Sequence, residues 1–148
     1  KPTSEGSISI QSADSSVPPK LFGNYLSTRY DQQTMISGMK LMRKLAATEA
    51  LKKIVHTEMS PGKDVKSDAE LLEYARLHGE TVFHQCGTCR MGDNPANSVV
   101  DGKLKVRGVY GLRVADASIF PTIPSGNINA PSIMVGEKAA ELILQENK

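Results

Sequence analysis

Two short stretches hold the side chains best suited to chemistry. One is His84-Gln85-Cys86-Gly87-Thr88-Cys89-Arg90-Met91-Gly92, and the other is Pro124-Ser125-Gly126-Asn127-Ile128-Asn129. An imidazole titrates near neutral pH and is the commonest general base in proteins, whereas an amide such as Asn127 can donate a hydrogen bond to an oxygen but cannot readily take its proton. Paired on one substrate oxygen, they would suit a reaction that removes a hydroxyl proton while charge builds on the oxygen. A single His after an apolar segment is as readily structural, and the residues alone leave both readings open.

Cys86 and Cys89 form a Cys-x-x-Cys, the spacing of a thiol redox pair or of half a zinc site. A redox pair wants its thiols at a helix N-terminus after a strand, and zinc wants a second ligand pair; neither context is present, so the expectation is two small thiols packed in a loop and no metal. Leu112-Arg113-Val114-Ala115 reads as a buried strand delivering Asp116-Ala117-Ser118 at its carboxyl end, where small residues let backbone approach a ligand. Asp116 also has a bland reading, as a turn residue bonding its own backbone. Arg90 reads as a charge that fixes its loop.

The elements that must position these residues follow from periodicity. Ser7 to Ser12 alternate like a strand with one buried face, and Asp14 to Tyr30, with Pro18-Pro19, reads as an irregular surface segment anchored by Leu21, Phe22 and Tyr25. From Asp31 the period becomes helical, with Met35, Met39, Met42 and Leu45 or Ala46 inward and Lys40, Arg43 and Lys44 outward. Ala46 to Val55 either extends that helix or begins another. Ser67-Asp68-Ala69-Glu70 is a capping box opening a helix that turns Leu71, Leu72, Tyr74 and Ala75 inward and ends in a left-handed cap at Gly79. Thr81-Val82-Phe83 reads as a short strand leading to His84. Val99-Val100 and Leu104-Lys105-Val106 are short pieces between turns. A last helix runs from about Asn129, with Pro131 tolerated in its first turn, to about Glu146, on an apolar stripe of Ile133, Gly136, Ala140 and Ile143.

Composition bounds the class. The 148 residues are 39% hydrophobic and 23% charged, ordinary for one soluble globular domain. A net charge of +2, carried by dispersed Lys and Arg, gives no reason to expect a nucleic-acid partner. No apolar run reaches the roughly 18 residues a membrane span needs, and Lys1-Pro2-Thr3-Ser4 is not a signal peptide. These features fit a cytoplasmic protein, with peripheral membrane association left open.

The ordered set of motifs resembles the C-terminal part of the glucose-methanol-choline family of flavoprotein oxidoreductases. Its carriers are Gly6-Ser7-Ile8-Ser9-Ile10, His84-x-x-Gly87-Thr88-Cys89-Arg90-Met91-Gly92, Val99-Val100-Asp101 and Gly136-Glu137-Lys138-Ala139-Ala140. Phe83-His84-x-Cys86-Gly87-Thr88-Cys89 is most similar to the choline dehydrogenase branch, which favours a dehydrogenase over an oxidase. The family binds the ADP half of FAD on a Gly-x-Gly-x-x-Gly turn, and this chain has none. The resemblance therefore implies an α+β fragment of a two-domain flavoenzyme: 1–82 part of the substrate-binding domain, a sheet with helices, and 83–148 the active-site loop with the last strand and helix of the FAD-binding domain.

The resemblance also implies roles. FAD would be the cofactor and a small alcohol the substrate, with His84 as base or alkoxide stabiliser and Asn127 at the second catalytic position. Asp116 and Ala117 would touch the cofactor near its ribityl and pyrophosphate groups. Ile128 and Asn129 backbone N–H groups, at a helix N-terminus, would face the anionic edge of the reduced flavin; the alternative reading of Asn129 is an ordinary cap. The N-terminal FAD-binding portion would be a required partner, the isolated piece would be inactive, and its exposed apolar surface would favour a homo-oligomer. The electron acceptor is not legible. The competing readings are a non-catalytic binding domain that keeps the scaffold, and a thiol-redox or zinc module built on Cys86 and Cys89.

Overall fold

The computed structural model describes residues 1–146. The chain is α+β and divides into two compact units, Pro2–Glu80 and Thr81–Lys148. In the first, strands β1 (Ser7–Ser9) and β2 (Lys20–Phe22) pair antiparallel, with Ser7 opposite Phe22 and Ser9 opposite Lys20. The sequence reading missed β2, since Pro18-Pro19 pointed to an irregular segment and three residues carry little periodicity. It also expected one buried face, yet Ile8 and Ile10 are exposed and Leu21 is 72% exposed, so neither Leu21 nor Phe22 nor Tyr25 is an anchor by burial.

Helix α1 (Arg29–Ala46) begins at Thr28, whose hydroxyl accepts from the Asp31 N–H. Its half-buried and buried positions are Asp31, Gln32, Ile36, Met39, Arg43 and Ala46, the last four at helical spacing. The expected methionine stripe is therefore rotated: Met35 and Met42 face solvent and only Met39 is partly covered. Arg43 turns in because its head has partners there, the Glu58 carboxylate at 2.9 Å and the Gly62 carbonyl at 3.1 Å. Past Ala46 the chain makes turns, stitched by bonds such as Lys52 N–H to Thr48 carbonyl, and forms neither an extension of α1 nor a second helix.

Helix α2 (Asp68–His78) starts as its sequence dictates. The Ser67 side chain accepts from the Glu70 N–H, and the Glu70 carboxylate takes the Ser67 N–H at 2.8 Å. Leu71, fully buried, and Ala75 are its buried positions, and α2 packs on α1, whose Ile36 is buried as well. Gly79 ends α2 with extended backbone, φ −70° and ψ 136°, rather than in the left-handed region. Glycine is needed there for space: a Cβ would sit 2.4 Å from the Ala75 carbonyl oxygen.

Asp31 ties the first residues of the chain to α1. Only 7% exposed, its carboxylate accepts from Thr3 N–H at 2.8 Å, from Ser4 N–H at 2.7 Å and from both hydroxyls. Burial pushes its pKa up, but the hydrogen bonds from Ser4 and Thr3 outweigh that and hold it at about 2.

The second unit has little regular structure before helix α3 (Asn129–Glu146): isolated bridges pair Met91 with Val100, Val100 with Val106 and Lys105 with Arg113. Leu112 to Ala115 is thus not the expected buried strand; it makes one bridge, and Leu112 is exposed. Val100, Leu104, Ile119, Phe120, Val135 and Ala139 form the core. The buried stripe of α3 is accordingly Val135, Ala139 and Leu142, while the expected Ile133, Gly136, Ala140 and Ile143 face outward. Among the described residues no helix is long and apolar enough to cross a membrane.

The depressed pKa of Asp31 sets a pH dependence. A carboxylate stabilised in the folded state contributes fully above its unfolded value, and the contribution disappears as pH falls from about 4 to about 2. Asp31→Asn should lower stability at pH 7 by roughly 1–3 kcal/mol, the scale of hydrogen bonds to a charged group. Urea unfolding at several pH values should show the deficit shrinking toward pH 2; a constant deficit would contradict the assignment. Ser67→Ala should cost about 1 kcal/mol at any of these pH values above the Glu70 titration.

Candidate active site

The loop that carries His84 is held on both flanks by backbone. On one side Cys89 N–H donates to the Ser118 carbonyl at 2.9 Å and Met91 N–H to the Ile119 carbonyl at 2.8 Å, so the loop runs along a short 3-10 turn, Ala117–Ile119. Gly87, at φ +90°, permits this approach, since a Cβ would lie 3.2 Å from the Phe120 carbonyl oxygen. On the other side Val99 N–H bonds the Arg90 carbonyl at 2.8 Å and Gly92 N–H the Val100 carbonyl at 3.1 Å. The Arg107 guanidinium braces the corner by donating to Ser98 Oγ and the Gly92 carbonyl.

His84 is half-buried, and its Nδ1 is buried without a hydrogen-bond partner among the described residues. An orphaned buried nitrogen marks either strain or a site completed by something else. The segment before it is not a strand as expected. Phe83 has φ +58° and is 80% exposed, a conformation that costs a bulky residue about 1–3 kcal/mol. Thr81 Oγ1 brackets the turn, accepting from Phe83 N–H at 3.1 Å and Gln85 Nε2 at 2.7 Å. Sequence reasoning missed this feature because nothing in Thr-Val-Phe signals a left-handed residue; those types favour strands.

At the other stretch, Asn127 is exposed in the bend before α3. Ile128, rather than Asn129, occupies the cap position: its carbonyl accepts Ser132 N–H at 2.9 Å and Ser132 Oγ at 2.7 Å, and Asn129 is the first helical residue. With Pro131 lacking a donor, the first-turn N–H groups of Asn129 and Ala130 have no partner within the helix. Ile128 and Cys86 pack against the same apolar cluster. His84 and Asn127 thus each lie within two residues of a side chain anchored in one core.

Asp116 is exposed and caps the 3-10 turn, accepting the Ser118 N–H at 2.7 Å, which is its turn-residue role; Ala117 packs on the core. Burial pushes the Cys86 thiol pKa up against the pull of Arg90, the opposite of an activated thiolate, and Cys86 and Cys89 are both free thiols. Among the described residues no group of three or more His, Cys, Asp or Glu could hold a metal ion. Hollows of about 230 and 200 Å³ occur beside Lys105 to Arg113 and beside Met91, Phe120 and Met134, and neither is lined by His84 or Asn127.

Comparison with known proteins gives this geometry its context. Residues 2–136 match the family described as GMC oxidoreductase. The chain is 45% identical over 145 residues to "Alcohol dehydrogenase [acceptor]" of Pseudomonas putida, covering 98% of this chain and 26% of that protein. It is 45% identical over 140 residues to "Oxygen-dependent choline dehydrogenase" of Klebsiella pneumoniae, covering 95% and 25%. It superposes on the crystal structure of a formate oxidase with TM-score 0.91 at 35% identity, over 98% of this chain and 26% of that one. For pyridoxine 4-oxidase from Mesorbium loti the TM-score is 0.88 at 31% identity, over 95% and 27%. The chain spans about a quarter of the length of these relatives, and with the family match running over residues 2–136 it belongs to the GMC oxidoreductase family.

Proposed function

We propose that the whole protein oxidises the CH–OH group of a small alcohol, using FAD, and that this chain supplies the proton-handling groups. The observation that carries the reading is His84: a half-buried imidazole with an orphaned Nδ1, on a loop fixed by backbone bonds, within the family match. Oxidising an alcohol removes a proton from oxygen as well as a hydride from carbon. His84 takes that proton at Nε2, the ring nitrogen other than the buried one, and the resulting cation steadies the oxygen as charge develops on it. Asn127 donates its amide hydrogen bond to the same oxygen. FAD, when bound, supplies the hydride acceptor.

The donor set suits that cofactor. A helix N-terminus whose Asn129 and Ala130 N–H groups have no partner within the helix, beside Ile128, attracts negative charge, and the Asp116-Ala117 turn offers small residues over which a ligand's chain can pass. The pyrophosphate is held elsewhere in the whole protein, because these 148 residues contain no Gly-x-Gly-x-x-Gly turn. An alcohol substrate accords with the names of the relatives, two of which are an alcohol and a choline dehydrogenase. We propose a dehydrogenase working on such a substrate, with 1–82 contributing to substrate binding and 83–148 to the flavin side.

In the full-length enzyme His84→Ala should lower turnover by roughly 10² to 10⁴-fold, the scale of a positioned acid-base group, with the flavin still bound. Asn127→Ala should cost less. Unchanged alcohol oxidation by the His84 variant would return that residue to a structural role. The chain by itself should not bind FAD: each charge-assisted hydrogen bond absent with the pyrophosphate cradle is worth about 1.5–3 kcal/mol, and several together mean many orders of magnitude in affinity. Saturable micromolar binding in a flavin-fluorescence titration of the purified chain would refute this division of the site.

A further inference from the structure

We infer that Thr81 and Phe83 are positioning residues for His84, setting the direction of its ring through the backbone. The inference rests on the reading of His84 as the proton acceptor. A catalytic imidazole is usually aimed by a hydrogen bond at its second nitrogen, often to a carboxylate or carbonyl. His84 has no such aid among the described residues, because Nδ1 is buried and unpartnered. Beyond the packing that encloses Nδ1, the ring is directed by the frame from which it projects.

That frame is unusual. Phe83, immediately before His84, sits at φ +58° although its ring is 80% exposed and gains little burial in return. Backbone strain persists only where the surroundings over-determine it, and it gathers at functional sites. Here one hydroxyl holds both flanks of the histidine. Thr81 Oγ1 accepts from Phe83 N–H at 3.1 Å and from Gln85 Nε2 at 2.7 Å, spanning His84 from both sides. Its two acceptor lone pairs are thereby matched by two donors, one on each side of the histidine. Downstream, Gly87 and the bonds from Cys89 and Met91 fix the far end of the loop. The 81–85 turn is the part whose two sides Thr81 Oγ1 joins.

The test uses the full-length flavoenzyme with its best alcohol substrate. Thr81→Val removes the acceptor while keeping the shape, and should lower kcat by about 10- to 100-fold, the cost of misplacing a catalytic group by a fraction of an ångström to one ångström. KM should change little and the bound-flavin absorbance should be unaltered. Thr81→Ser, which keeps the oxygen, should restore most of the rate. A second pair guards against a folding artefact: Phe83→Asn, tolerant of the left-handed region, should turn over at least about tenfold faster than Phe83→Ile, whose β-branch resists it. His84→Ala is measured alongside. If it is inactive while Thr81→Val matches wild type, or Phe83→Ile matches Phe83→Asn, the positioning role is overturned and the base assignment stands. If His84→Ala is itself fully active, the underlying reading has failed instead.

Discussion

Two backbone hydrogen bonds, Cys89 to Ser118 and Met91 to Ile119, underlie the second unit. They join a loop to a turn, segments that elsewhere would be mobile for lack of ladder partners. Because the bonds are between main-chain groups, they depend on backbone approach rather than on side-chain identity, and Gly87 is what keeps the approach open. Everything chemically interesting hangs from that seam: His84 upstream, Asp116 and Ala117 at the turn, and the core residues Ile119 and Phe120 that α3 covers.

The first unit solves a similar problem with a charge. Thr3 and Ser4 have no strand to join, and Asp31, capped into the first turn of α1, collects their N–H and hydroxyl groups onto one carboxylate. A buried carboxylate is tolerated because its lone pairs are filled and the helix dipole favours negative charge at that position. Arg43, at the other end of α1, is half-buried for the same reason, with Glu58 and Gly62 as its partners. The two ends of the helix are thus fixed by polar contacts, and Ile36 is the apolar residue buried between them.

What could be read from the residues was what is decided locally. The capping box at Ser67 and Glu70 and the extent of α3 depend on neighbours in sequence, and both are present as expected. Which face of a helix is buried depends on what lies across from it. In α1 three methionines with Leu45 or Ala46 suggest one stripe, but Arg43 has partners and Met42 is exposed. In α3 apolar residues run round most of the helix, so Ile133 and Ile143 were as plausible inward as Val135 and Leu142. The short elements failed for a different reason: β2 is three residues, and Phe83 adopts a conformation its side chain disfavours. For the site, the residue types of His84 and Asn127 were legible, while the orphaned Nδ1 and the Thr81 bracket exist only in three dimensions.

The position of α3 joins these observations. At its N-terminal end Ile128 is packed in the core; at its C-terminal end Glu146 bonds Lys105 at 2.7 Å and Arg113 at 2.5 Å, and those two cations hold its pKa at about 2. Arg113 is itself fixed by donating to the Lys103 carbonyl at 3.1 Å. The pairs are partly exposed, so each contributes modestly to stability. Their effect is geometric. A rigid rod held at both ends keeps its axis, and the axis sets where the first-turn N–H groups of Asn129 and Ala130 point. An anion site made of backbone donors is only as well aimed as the helix that carries it. The Glu146 contacts, at the far end of α3 from Asn129, therefore belong to the same structural problem as the Thr81 bracket on the loop of His84: fixing the backbone from which a polar group projects.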